Sequence, residues 1–114
     1  MMDYKRGDIV LVNFNPQKRN EEVGKNRPAI IISDTELNAV LDLVSVIALT
    51  TNLIDDSEPL RIRIEKNENL IQDSDAMIEQ LRSVSKKRIT EKVGSIDKSA
   101  MSKIEYGIKQ MLNL

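Results

Sequence analysis

Mainly β structure with some α (an α+β class) is what this 114-residue chain predicts, in the form of a small, strongly bent sheet or barrel closed by a C-terminal helix. Three observations carry that expectation. Short, β-branched apolar runs bounded by turn residues recur between residues 9 and 85. The C-terminus instead repeats apolar residues at helical spacing, with Met101, Ile104, Ile108, Met111 and Leu112 on one stripe. The length allows one hydrophobic core and not two, so residues 1–114 read as a single domain.

Taken in order, Arg6-Gly7-Asp8 reads as a turn opening a strand at 9–14, and Asn15-Pro16 marks its end. The polar segment 17–26 is long for a hairpin connection, and loops of that kind are often functional. Ala29 to Ile32 is short, β-branched and flanked by Pro28 and Ser33, as expected of a buried strand. Residues 34–42 suit one or two helical turns capped by Asp34. A further buried strand at 43–49 delivers Thr50-Thr51-Asn52 into a second polar loop. Residues 60–64 alternate, which predicts Leu60, Ile62 and Ile64 facing in and Arg61 and Arg63 facing out. Residues 74–85 read as two short strands separated by Glu79-Gln80. Residues 86–95 read as a one-turn helix or bend stopped by Gly94, and the last helix opens at Asp97. Gly107 within it costs about 1 kcal/mol relative to alanine, which predicts close packing at that point.

Composition excludes several chemistries. The only aromatics are Tyr4, Phe14 and Tyr106, so the core must be aliphatic and a base-stacking platform is not expected. With no cysteine there are no disulfides, thiol nucleophiles or thiolate metal sites. With no histidine the usual general base and the commonest metal ligand are both missing. Asp55-Asp56 and Asp73/Asp75 read as solvated loop charges, so no metal and no cofactor is expected. No apolar stretch approaches the ~18 residues of a membrane span. The N-terminus lacks a signal-peptide core, which predicts a cytoplasmic protein with no membrane partner. Net charge is −1, so contact with nucleic acid requires a local basic patch such as Lys25-Arg27, Arg61/Arg63 or Lys86-Lys87-Arg88.

Three polar sets fall at strand ends or loop edges: Glu21/Glu22 with Arg27, Thr50-Thr51-Asn52, and Glu79-Gln80 with Arg82. Each alone has a structural explanation, an exposed ion pair being worth at most about 1 kcal/mol. Read together in order, RGDIVLVNF-NP, E-x-G-x-x-RPAIIIS, VIALTTN, IEQLRSVSKKRI and KVGSI resemble the MazF/PemK toxins, the endoribonucleases of bacterial toxin–antitoxin pairs. The resemblance runs from about residue 5 to 112 and implies a small Src-homology-3-like β-barrel of CcdB/MazF type with short helices and a C-terminal helix, usually a homodimer. It further implies metal-independent cleavage of single-stranded RNA by 2′-hydroxyl attack, leaving cyclic phosphate and 5′-hydroxyl ends, and neutralisation by a cognate antitoxin.

By position, the resemblance makes Arg27 and Thr50 catalytic. It places Glu22, Thr51, Asn52, Glu79 and Gln80 on the RNA-binding surface. The first loop departs from many relatives: Glu21 precedes Glu22 and Val23-Gly24-Lys25 follows, where relatives carry Ser or His before and Gln-Gly-Gly after. In the Kid/PemK branch a His–Arg–Asp set is used, but here Glu21 and Met77 stand at the histidine and arginine positions. The Arg–Thr arrangement is the one retained. Its chemistry is sound for charge stabilisation, because a guanidinium offers planar paired donors to phosphoryl oxygens and a hydroxyl adds a neutral one. A guanidinium stays protonated near neutrality, so the 2′-proton needs another acceptor, for which Glu79 and Glu22 both remain open.

Two further readings share this sequence. A CcdB-like gyrase poison has the same fold without nuclease chemistry, but it has no need of an Arg27–Thr50 pair, and the C-terminal QMLNL lacks the aromatic expected there. A degenerate module that binds antitoxin or RNA without cutting is kept open by the altered first loop.

Overall fold

The computed structural model describes residues 3–14, 26–67 and 70–114. Its strands are β1 (Asp8–Asn13), β2 (Asn26–Ile31), β3 (Leu43–Thr50), β4 (Arg61–Ile64), β5 (Ser74–Met77), β6 (Arg82–Ser85) and β7 (Ile89–Ser95), with helices α1 (Thr35–Val40) and α2 (Lys98–Leu112). All pairings are antiparallel, in the order β4-β5-β3-β2-β1-β7, with β6 also on β3. The eight-residue β3 is the centre of this arrangement. Its first half pairs with β6, its middle with β2, and its last two residues with β5.

Period-two alternation in these runs buries both faces of the sheet, so the single core expected from the length is divided by the sheet into two apolar clusters. Ile9, Ile30, Ile47, Leu49, Ile62, Ile64, Ala76 and Ile78 form one, closed by Ile104 of α2. Their neighbours Val10, Val12, Ala29, Ile31, Val44 and Val46 form the other, closed by Val84 and Ile89 with Tyr4 and Phe14 at its margin. Burial on both faces is why β2 and β3 read as continuous apolar runs. Every buried hydrophobic residue is aliphatic or methionine, as the scarcity of aromatics requires.

Local signals place the helices. The Asp34 carboxylate accepts from the amides of Glu36 and Leu37 and starts α1, and Asp97 accepts from Ala100 and starts α2. Arg6-Gly7 forms the expected turn, Gly7 taking a φ of +96° that a side chain would strain. The buried Asn38 on α1 donates to the carbonyls of Tyr4 and Ser33 at 2.9 and 3.0 Å, tying the N-terminal segment to the chain just after β2.

Three expectations are corrected. Residues 89–95 are a strand and Gly94 lies inside it. Two register shifts against β1 break the alternation that would have announced β7, and only the turn at Lys86–Arg88 matches the expected bend. Leu60 precedes β4 and is half exposed, so the inward face of that strand is Ile62 and Ile64 alone. Leu112, at the end of the α2 stripe, is also half exposed, whereas Met111 beside it packs against the core. Tight packing at Gly107 is found as expected: a Cβ there would lie 2.5 Å from the Pro59 carbonyl oxygen and 3.1 Å from Ile78 Cγ1.

Candidate active site

The second core opens at one end, and the change from apolar to polar happens on three strands at once. Along β1 the row runs Val10, Val12 and then Phe14 just beyond the strand. On β2 it runs Ile31, Ala29, Arg27; on β3 Val44, Val46, Ala48, Thr50; on β6 Val84, Arg82. Ala29 pairs with Ala48, and Arg27 and Thr50 each lie two residues beyond that pair on the neighbouring strands. The result is a cleft of about 360 Å³ lined by Phe14, Arg27, Ala48, Thr50, Asn52, Arg61, Met77, Gln80 and Arg82. Ala48 leaves its floor open where a larger side chain would fill it.

The lining has three guanidinium groups and, among the described residues, no carboxylate. The Arg27 side chain is exposed and has no ion-pair partner among the described residues. Thr50 Oγ1 accepts from the Asn52 amide at 3.1 Å, which fixes the side chain and leaves the hydroxyl proton free to donate into the cleft. The Arg82 guanidinium sits over the Phe14 ring, 5.2 Å from its centroid. Gln80 reaches the cleft from the 3₁₀ turn Ile78–Gln80 between β5 and β6.

The expected residues therefore separate into groups. Arg27, Thr50, Asn52 and Gln80 are brought together. Thr51 and Glu79 are exposed beside the lining and not part of it. Glu21 and Glu22, like Asn15-Pro16, lie outside the described residues. Phe14 joins the cleft without having been singled out, and Arg61, named only within a basic patch, joins it too. Met77 lies in it, 8% exposed.

Asp75 corrects an expectation outright. It is 1% exposed and is no solvated loop charge, whereas Asp73 is exposed and accepts from the Lys66 amide. In the ladder Asp75 stands across from Thr50 on one side and Arg63 on the other. One carboxylate oxygen takes Arg63 Nε at 2.6 Å. The other takes the Ile54 amide at 2.9 Å and lies 3.6 Å from Arg61 Nη1. Arg63 also pairs with Asp55 at 2.8 Å. The signal in the sequence was the two arginines on one face of β4, which need a counter-charge once one strand is laid beside the other.

Burial alone would push the Asp75 carboxyl up. The hydrogen bonds from Arg63 and the Ile54 amide, with the charges of Arg63 and Arg61, outweigh burial and hold it below its ordinary value. The hydrogen bonds to Asp75 and then Asp55 correspondingly raise Arg63. A carboxyl depressed by folding stabilises the protein above its unfolded value, about 3.9, and loses that contribution as pH falls through the folded value. Urea midpoints for the wild type and Asp75→Asn should thus differ by a constant amount above about pH 5 and converge below about pH 4. A gap independent of pH down to about 2 would show that the charge of Asp75 does not stabilise the fold.

The family model for PemK-like, MazF-like toxins of type II toxin–antitoxin systems matches residues 5–112. The chain belongs to this family. It is 32% identical over 111 residues to the endoribonuclease MazF of Staphylococcus epidermidis, covering 96% of this chain and 92% of that one. The crystal structure of MazF from Deinococcus radiodurans shares the fold with a TM-score of 0.80 at 18% identity, each chain covered in full. The Mycobacterium tuberculosis toxin MazF-mt6 does so with a TM-score of 0.78 at 16% identity, over 94% of this chain and 97% of that one. A mycobacterial endoribonuclease solved in complex with its cognate antitoxin is similar at a TM-score of 0.75 and 18% identity, over 100% of this chain and 97% of that one. Within this toxin family the fold expected from the sequence, an α+β sheet with a C-terminal helix, is the fold observed.

Proposed function

We propose that this endoribonuclease toxin cuts single-stranded RNA at short sequences, without a metal, through Arg27 and Thr50. What supports the reading is that both line one cleft, whose described lining holds three guanidinium groups and no carboxylate. The 2′-oxygen attacks the adjacent phosphorus and the bond to the 5′-oxygen breaks, giving a cyclic phosphate and a 5′-hydroxyl. Charge grows on the non-bridging oxygens and the leaving oxygen, where a fixed guanidinium and a hydroxyl stabilise it without reorganising. The 2′-proton passes to a carboxylate, Glu79 or Glu22, and the leaving oxygen takes up a proton from solvent. Gln80 and Asn52 contact the RNA within the cleft, while Thr51 and Glu79 flank it. The toxin works in the cytoplasm as a homodimer, and a cognate antitoxin silences it by covering the cleft.

Digestion of a long unstructured RNA in EDTA, with fragment ends mapped, tests this. The expected result is discrete cuts bearing 5′-hydroxyl and cyclic phosphate ends, all lost when the nucleotide that supplies the attacking 2′-hydroxyl is replaced by its 2′-deoxy form. Cuts that appear only with added metal, or a deoxy substrate cut at an unchanged rate, would overturn the mechanism. A folded protein that cuts nothing would favour the gyrase-directed or non-catalytic reading.

A further inference from the structure

Arg61 and Arg63 lie on one face of β4 and share the buried Asp75, yet their electrostatic situations differ. Arg63 commits Nε to Asp75 and Nη2 to Asp55, so two carboxylates offset its charge. Arg61 makes both of its contacts through Nη1, a hydrogen bond of 3.1 Å to the Asn52 carbonyl and the longer 3.6 Å ion pair with Asp75. Among the described residues its Nε and Nη2 have no hydrogen-bond acceptor, although a guanidinium carries five N–H donors. The side chain is only 17% exposed and lines the cleft alongside Arg27 and Thr50. A half-used, largely buried guanidinium is thus held rigid at the wall of the site by two acceptors on two different segments.

We infer that Arg61 is a phosphate-binding residue of the cleft, taking a backbone phosphodiester that flanks the one held by Arg27 and Thr50, and that Asp75 is the residue that positions it. The inference rests on RNA being the substrate. The geometry favours a backbone contact. Arg61 is anchored at a strand start and by the carbonyl of Asn52, so its free donors address whatever chain passes over Thr50. Asp75 stands in the ladder across from Thr50 and pairs with Arg61, so one buried carboxylate sets the spacing between the reacting phosphate and its neighbour.

The test measures affinity for an oligoribonucleotide carrying 2′-deoxyribose at the mapped cut position, as a function of salt. Each phosphate contact on a single strand contributes about 0.7 to the slope of log affinity against log salt. Arg61→Gln should lower that slope by about 0.7 and weaken binding about tenfold near 0.1 M salt, with cut sites unchanged, while Arg61→Lys keeps the slope. Asp75→Asn, checked for folding by circular dichroism, should weaken binding severalfold although it makes the protein more positive. Tighter binding by that variant would overturn the positioning role.

An unchanged slope in Arg61→Gln, in a system where the wild type binds and cuts, would overturn the phosphate contact and leave the nuclease reading standing. Altered cut sites with an unchanged slope would make Arg61 a base reader instead. A wild type that neither binds nor cuts RNA would remove both readings.

Discussion

Arg27→Ala should lose RNA cleavage by at least about 10²–10³-fold, because it removes a donor aimed at charge that exists only in the transition state. The loss should fall on kcat. Fold stability should stay within about 0.5 kcal/mol of wild type, since the side chain is exposed and has no described ion-pair partner to orphan. Affinity for a deoxy-substituted, uncleavable oligonucleotide should fall far less than the rate. Arg27→Lys discriminates further, as it keeps the charge but not the planar fork, and it should recover binding while leaving most of the rate loss in place. Single-turnover cleavage of an excess-enzyme mixture measures the rate directly. A variant that cuts at half the wild-type rate would make Arg27 a surface cation and move the chemistry elsewhere in the cleft.

Gly107→Ala should unfold more easily than wild type, the reverse of what helix propensity predicts. In an exposed helix the change gains about 1 kcal/mol. Here the added methyl meets the Pro59 carbonyl oxygen at 2.5 Å and the fully buried Ile78 at 3.1 Å. Neither is the free end of a flexible side chain, and overpacking of this kind costs about 1–3 kcal/mol. The net expectation is a loss of up to about 2 kcal/mol, or up to roughly 12 °C in Tm for a domain this size. Thermal melts followed by circular dichroism would read it, and a melting point raised above wild type would show that α2 does not approach this closely. Pro59 belongs to the segment between β3 and β4, and Ile78 opens the turn that carries Gln80. Displacing α2 therefore reaches the cleft from behind.

What the sequence revealed and what it hid follow a physical divide. The helices were legible because their signals are local: Asp34 and Asp97 cap within three residues, and the α2 stripe repeats within itself. β2 and β3 were legible because burial on both faces leaves uninterrupted apolar runs. β7 was not, because its bulges against β1 erase alternation and expose Thr90, Glu91 and Lys92. Asp75 was misread because its burial depends on arginines more than ten residues away on another strand, a pairing that no spacing rule announces. Arg27 and Thr50 were paired by family resemblance alone. Their common cleft comes from the way the strands are laid side by side, which also brings in Arg61 and Phe14.

Thr50 ends the strand that pairs with β2, β5 and β6. Local opening free energies rise with the number of partners that must be released together, and frayed edges open at almost no cost. A catalytic hydroxyl on a peripheral strand would blink in and out of register with thermal breathing. On β3 the hydroxyl proposed to be catalytic is held directly by β5, through the pairing of Thr50 with Asp75, on a strand that β2 and β6 hold further back. Control of such a protein must come from outside it, through something that occupies the cleft, and cannot come from the cleft's own melting.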